Sequence, residues 1–247
     1  MRAVSSTPTN THPSRIRSVV CLSGGMDSCV TAALAARDTE AFAIHFSYGQ
    51  RTESRELAAA RGVALQLGFR DFLHLRIDIF RHIGGSALTD AKISVPDAAP
   101  EFGHTPASAN ASGEAIPVTY VPFRNAHFLS AAVSWAEVLG ATRVYIGAVE
   151  QDSSGYPDCR PAYYEAFQQL VRTGTRDGKI EIVTPLIALS KAQIVRLGLE
   201  CNAPLDLTWS CYREEQEACG TCESCVLRLR AFESAGVKDP IVYAPPA

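Results

Sequence analysis

The sequence predicts an α/β protein built on a doubly wound, mainly parallel sheet, with a small metal-binding segment near its C-terminus. Three observations predict it. Short apolar runs alternate with stretches of helical period, a Gly-Gly turn joins the first run to the first helix, and four of the eight cysteines crowd between positions 211 and 225. With 247 residues, 47% of them hydrophobic, the chain can bury one full domain and an appendage, but two full domains would be a tight fit.

The elements follow in order. Residues 1–15 are rich in Ser, Thr, Pro and Asn and read as a disordered tail. Ser18 to Leu22 is a continuous apolar run of the kind found in strands covered on both faces, and Glu40 to Tyr48 and Phe72 to Ile79 read similarly. Between the last two, Leu57, Ala60, Ala64 and Leu67 recur at helical spacing and Gly68 supplies a stop. From Gly84-Gly85 to about Pro117 the chain shows no sustained period; loops this long are lids, binding loops or disordered segments. The pattern resumes with a helix carrying Phe128, Leu129, Ala132, Val133, Ala136 and Leu139 on one side, then a strand at Arg143 to Val149. A helix at about Ala162 to Val171, a strand at Ile180 to Val183 and a helix from Ser190 to about Leu199 complete the series. Such alternation argues for a Rossmann-like parallel sheet with helices on both faces. The division expected is 16–205 for the main domain, 206–235 for the metal segment and 236–247 for a C-terminal tail.

Leu22-Ser23-Gly24-Gly25-Met26-Asp27-Ser28 lies where the first strand turns into a helix. Glycines without a Cβ let the backbone turn its N–H groups toward a ligand, and Ser28 is expected to open the helix, whose free amides and dipole attract anions. The Ser23 and Ser28 hydroxyls add donors, while Asp27 either holds magnesium through water or caps the helix. No Gly-Lys-Ser/Thr ending follows, so this is not a Walker loop. Taken alone, the hexapeptide Ser23 to Ser28 also fits a plain Gly-Gly turn capped by Asp and Ser.

Cys211, Cys219, Cys222 and Cys225 follow C-x7-C-x2-C-x2-C, with Gly220 inside the first C-x-x-C. Four thiolates suit one closed, structural tetrahedral zinc; an iron–sulfur cluster is the rival, and no Pro follows the final Cys as it often does in cluster proteins. A metal would also supply the folding energy that so small a segment lacks. Cys159 and Cys201 lie outside the spacing and read as ordinary residues.

A net charge of −3 and a pI near 6.1 give no field for nucleic acid or an anionic membrane. The first apolar run is too short for a signal peptide or a membrane span, so a cytoplasmic protein without direct nucleic-acid or membrane partners is expected.

The hexapeptide is similar to the pyrophosphate loop of the ATP pyrophosphatase superfamily. Five further polar runs appear in order: Tyr48-Gly49-Gln50-Arg51, Gly85 to Thr89, Val121-Pro122-Phe123-Arg124-Asn125, Ser154 to Pro161, and Thr208-Trp209-Ser210-Cys211-Tyr212. With the cysteine cluster they resemble the 7-cyano-7-deazaguanine synthases from about residue 18 to residue 235. That resemblance implies an ATP-dependent ligase that converts 7-carboxy-7-deazaguanine and ammonia to the nitrile through adenylated acid and amide, releasing AMP and pyrophosphate twice. It also implies ATP, Mg2+ and one structural Zn2+ per chain, and a homodimer. No segment is long enough for a glutaminase domain, so free ammonia is the expected nitrogen donor.

The substrate candidates are Gln50, Arg51, Arg124, Asn125, Tyr156, Asp158 and Arg160, with Tyr156 or Phe123 stacking on the base and Lys191 as a second phosphate contact. Blander readings stand beside them: Arg124-Asn125 as a helix start, Tyr156-Pro157 as a turn, Asp158 and Arg160 as a surface ion pair, Lys191 as a solvated lysine. Thr52 stands where the family often has His, so no acid–base role is assigned there. The competing functions are a tRNA-thiolating enzyme with the same loop and a paralogue that transfers the deazaguanine to a protein.

Overall fold

A computed structural model describes residues 15–98, 106–109, 115–150 and 156–245. The expected N-terminal tail, the Ser154-Gly155 start of one motif and the last two residues lie outside the described residues, apart from Arg15.

Among the described residues, β1 (Arg17–Cys21), β2 (Glu40–Ser47), β3 (Phe72–Arg76), β6 (Arg143–Ile146) and β7 (Glu181–Val183) form one parallel sheet in the order β3-β2-β1-β6-β7. Successive strand residues point to opposite faces, and the core divides accordingly. Val19 and Ile44 pack with Leu129, Ala132 and Val133 of α4 (Arg124–Leu139) and with Tyr164 and Phe167 of α5 (Pro161–Gly174). Val20 and Ala43 pack instead with Cys29 and Ala32 of α1 (Met26–Asp38) and with Ala60 and Val63 of α2 (Glu53–Gln66). The expected double winding is thus observed, and helices cover both faces of β1 and β2, the apolar runs with no polar side.

Several expected boundaries are corrected. The strand predicted to run to Ile79 ends at Arg76, because among the described residues its only partner is β2 and the register stops at Ser47↔Arg76. The chain then forms a short α3 (Ile79–Ile83), which ends at Gly84 with φ 70°. The strand expected to reach Val149 stops at Ile146, and the backbone leaves the sheet at Gly147. Part of the aperiodic stretch is a hairpin of β4 (Pro106–Ala109) and β5 (Ala115–Pro117), two strands too short to show alternation in sequence. The first helix starts at Met26, not Ser28: Gly24 takes φ 93° and Gly25 is the N-cap, so the turn is complete two residues early.

The C-terminal part contains α6 (Lys191–Glu200) and α7 (Glu223–Ala235), which pack together with α1 through Val30, Ile194, Val195, Ala231 and Phe232. Arg228 of α7 is 2% exposed and donates two hydrogen bonds to Asp239, 2.7 and 2.9 Å, and one to Thr208 at 2.7 Å. Such a buried pair specifies one arrangement of the segments it joins, and removing one partner would strand the other charge. Among the described residues no helix is long and apolar enough to cross a membrane.

Candidate active site

In an open parallel sheet, ligands bind beyond the carboxyl ends of the strands where the order reverses. Here the chain winds from β1 to β2 and β3 on one side and continues to β6 and β7 on the other. The crevice therefore opens between the ends of β1 and β6, and a cavity lies there, lined by Leu22, Ser23, Gly25, Met26, Asp27 and Ser28 on the β1 side and by Ile146 to Val149 on the β6 side.

The loop after β1 is built for close backbone approach. The first amide bonded within α1 is that of Cys29, to the Gly25 carbonyl at 3.0 Å, so the preceding amides are not used by the helix ladder. Ser23 and Ser28 hydroxyls lie 3.0 Å apart, and Ser28 donates to the Gly25 carbonyl at 2.9 Å. A Cβ on Gly24 would collide with the Glu56 carbonyl oxygen, and one on Gly147 would come within 2.9 Å of the Asp27 backbone. Gly24 faces α2 rather than the cavity, so its role is to seat the loop. Gly147 was not singled out in the sequence; only the packing of β6 against the start of α1 reveals why a side chain is excluded there.

Asp27 does not cap its helix. Its Oδ2 accepts from Lys191 Nζ at 2.6 Å, while Oδ1 is buried with no hydrogen-bond partner. Lys191 is the first residue of α6, held by a capping box in which Gln193 N–H donates to Ser190 Oγ and Ser190 N–H donates to Gln193 Oε1 at 2.9 Å. It lines the cavity beside the loop and is not a solvated surface lysine.

The second wall comes from β2 and α4. Arg124 Nη1 donates to the Tyr48 hydroxyl at 3.0 Å, and its guanidinium lies over the Tyr48 and Phe128 rings. Burial opposes its charge, but Tyr48, Asp158 and Tyr156 outweigh that and hold it firmly protonated. Asn125 and Tyr156 line the same cavity. Gln50 also lines it, though its amide is bonded to the Tyr48 N–H, the Phe46 carbonyl and Glu56. Arg51 reaches the cavity but donates to the carbonyls of Ala87, Asp90 and Ile93, clamping the segment that follows α3.

Three candidates lie elsewhere. Asp158 is buried and is no surface ion-pair partner: its Oδ2 accepts the Asn125 amide at 3.1 Å and its carbonyl accepts the Asn125 side chain at 3.0 Å, anchoring the start of α4 behind the cavity wall. Burial also raises its pKa. Arg160 is the N-cap of α5, outside the lining. Phe123 is 60% exposed with φ 58°, packs on His127 and lies outside the cavity lining.

The C-terminal segment closes the cavity. The four cysteine sulfurs lie within 4.8 Å of one another. Backbone N–H groups of Arg213 and Glu214 point at Cys211 Sγ, 3.4 and 3.3 Å, and that of Cys222 at Cys219 Sγ, 3.3 Å. Tetrahedral zinc with ~2.3 Å bonds holds its sulfurs just under 4 Å apart, so this set fits a tetrathiolate metal. None of the eight cysteines is joined in a disulfide. Trp209 N–H donates to the Gly24 carbonyl at 2.8 Å, tying this segment to the loop.

Sequence reasoning missed several lining residues. Glu56 was hidden as one charge on an amphipathic helix; Thr52 lies 2.8 Å from its Oε1 and Gln50 3.2 Å from its Oε2, and burial pushes its carboxyl up to about 7 despite them. Glu223 lies between two cysteines and reads there as spacer, while Arg228 reads as helix surface. Tyr212 sits in a quoted motif that named no role for it.

The family model described as "Queuosine biosynthesis protein QueC" matches residues 17–236. The 7-cyano-7-deazaguanine synthase of Acidobacterium capsulatum is 72% identical over 94% of this chain and 98% of its own. Those of Koribacter versatilis and Chlorobaculum tepidum are 62% and 53% identical, over 93% and 92% of this chain and 94% and 96% of theirs. A match that runs from the first strand to the end of the last helix, with relatives this similar over nearly their whole length, places this chain in the QueC family.

Proposed function

We propose that this chain is the ATP-dependent ligase that makes 7-cyano-7-deazaguanine from 7-carboxy-7-deazaguanine, ammonia and two ATP. The observation that carries this reading is one cavity with two unlike ends, an anion cradle at the start of α1 and a guanidinium among tyrosines at the start of α4.

The substrate carboxylate is a poor leaving group. Its attack on the α-phosphorus of ATP expels pyrophosphate and leaves an acyl adenylate. Ammonia adds to the acyl carbon, AMP leaves, and a proton is lost to give the amide. The amide oxygen then attacks a second ATP, pyrophosphate leaves again, and loss of the nitrogen's protons with AMP gives the nitrile. Neither step needs a protein nucleophile; rate comes from positioning and from donors aimed at developing charge. The loop amides, Ser23, Ser28 and Lys191 hold the polyphosphate, and Arg124 turns the carboxylate toward the α-phosphorus. Asp27 offers its buried Oδ1 to Mg2+, which would neutralise the departing pyrophosphate. Cys211, Cys219, Cys222 and Cys225 hold a structural Zn2+. Asp158 supports Asn125 rather than touching the base.

Against sulfur transfer, burial pushes the two cavity-lining thiols outside the cluster, Cys21 and Cys159, up to about 12, far from the thiolate such chemistry uses. A cytoplasmic homodimer without nucleic-acid partners completes the reading.

Incubation with the acid, ATP, Mg2+ and ammonium, followed by mass spectrometry, tests it. Nitrile with two AMP per turnover is expected; ADP as the sole nucleotide product, or modification of a protein acceptor instead, would overturn it.

A further inference from the structure

The cavity is lined by three carboxylates among the described residues, and they are not equivalent. Asp27 is paired with Lys191 beside the phosphate loop. Glu56 is bonded to Thr52 and Gln50, on the helix against which Gly24 packs. Glu223 belongs to the tyrosine side. It is 5% exposed, and its Oε2 accepts from Thr119, whose hydroxyl in turn accepts from Tyr156 at 2.9 Å. Tyr156 and Tyr212 both feel its charge.

Its backbone is also unusually fixed. Glu223 is the first residue of α7, flanked by two cysteines of the metal-binding set, and Arg228 one turn later is locked to Asp239 and Thr208. A rotamer-rich side chain mounted on so rigid a base is preorganised for recognition.

We infer that Glu223 is a specificity-determining residue, its carboxylate accepting the two adjacent N–H donors, ring imide and exocyclic amine, on the pyrimidine edge of a guanine-type substrate. The inference rests on the substrate reading above. A carboxylate offers two parallel acceptors to such a donor pair, as it does to a guanidinium, and offers nothing to a base that lacks the amine. Arg124 would take the carboxylate end of the same molecule, so the two opposite charges fix which way round the bicycle enters. The tyrosines enclose its faces.

The test compares the acid with its 2-deamino analogue, 7-carboxy-7-deazahypoxanthine, by AMP release. Wild type should favour the amine-bearing acid by about 100-fold or more in kcat/KM, the range expected when a buried acceptor loses its donor. Glu223→Gln should lose about 100-fold on the acid, keep KM for ATP and for ammonium within about twofold, and bring the two substrates within about threefold of each other. Metal content and circular dichroism of the variant show whether the neighbouring cysteines are disturbed. Should the variant not fold, the wild-type comparison decides by itself. Equal use of both substrates by wild type overturns the inference, and so does an equal loss on both in a folded variant. A wild type that releases AMP from neither overturns the substrate reading as well, which separates the two failures.

Discussion

Glu56 shows what a single side chain contributes when a cavity rather than a partner sets its charge. Burial raises its carboxyl from 4.5 to about 7, the donors on Thr52 and Gln50 only partly opposing it. Between those two values the folded protein keeps a proton that the unfolded chain has released. The stability this linkage gives is therefore full below about pH 4.5 and falls as pH rises through 7. Glu56→Gln keeps the neutral shape at every pH. Urea unfolding of the ligand-free protein should find the variant close to wild type at pH 4.5 and more stable by about 2 kcal/mol at pH 8, a figure reduced from the full linkage because the head group faces the cavity. Its activity should fall, since a group kept at such a cost in a binding cavity serves the ligand. A variant no more stable at pH 8 would show that Glu56 is ordinarily acidic.

At the scale of elements, α6 matters for where it begins. The Ser190–Gln193 box fixes its first turn, and the first side chain of that turn is Lys191, delivered to Asp27. Ser190→Ala should cost about 1 kcal/mol in chemical denaturation by loss of the cap. The same change should raise KM for ATP several-fold while KM for the deazaguanine acid stays unchanged, because only the phosphate end of the cavity feels α6. Steady-state kinetics with each substrate varied in turn would separate the two. A similar logic applies to α4: Arg124 and Asn125 do start a helix, and because that helix begins at the cavity the same two residues line it.

At the scale of the whole molecule, the cavity is closed by the segment that carries the cysteine cluster. That segment gives the cavity Glu223, Ser224, Leu227 and Arg228, and its Trp209 ties it to the loop between β1 and α1. It is a wall of the site and not an appendage beside it. Stripping the metal with a thiol-reactive titrant should release one zinc per chain, measured with a chromogenic chelator. Binding of the deazaguanine acid should be lost at the same time, and the melting temperature should drop by about 10 °C, since a structural zinc supplies much of its segment's folding energy. Retention of full affinity after metal release would show that the wall stands without it.

The sequence alone determined the features that depend on local order. Buried strands announced themselves as apolar runs, the Gly-Gly turn marked the loop between β1 and α1, and the spacing of Cys211, Cys219, Cys222 and Cys225 marked a cluster whose sulfurs do come together, because each needs particular residues at short separations. The positions of α2, α4, α5 and α6 were legible for the same reason; α3, α7 and the extent of β3 were not, since a strand lasts only as long as its neighbour pairs with it. Only the tertiary structure decided which polar residues share the cavity. Asp158 and Glu223 are both buried carboxylates, one in a polar motif and one between two cysteines, yet the first braces α4 from behind and the second lines the cavity. Burial and direction are set by elements far apart in the chain, here α4 and α7 each contributing side chains to one cavity, and no local pattern encodes that convergence.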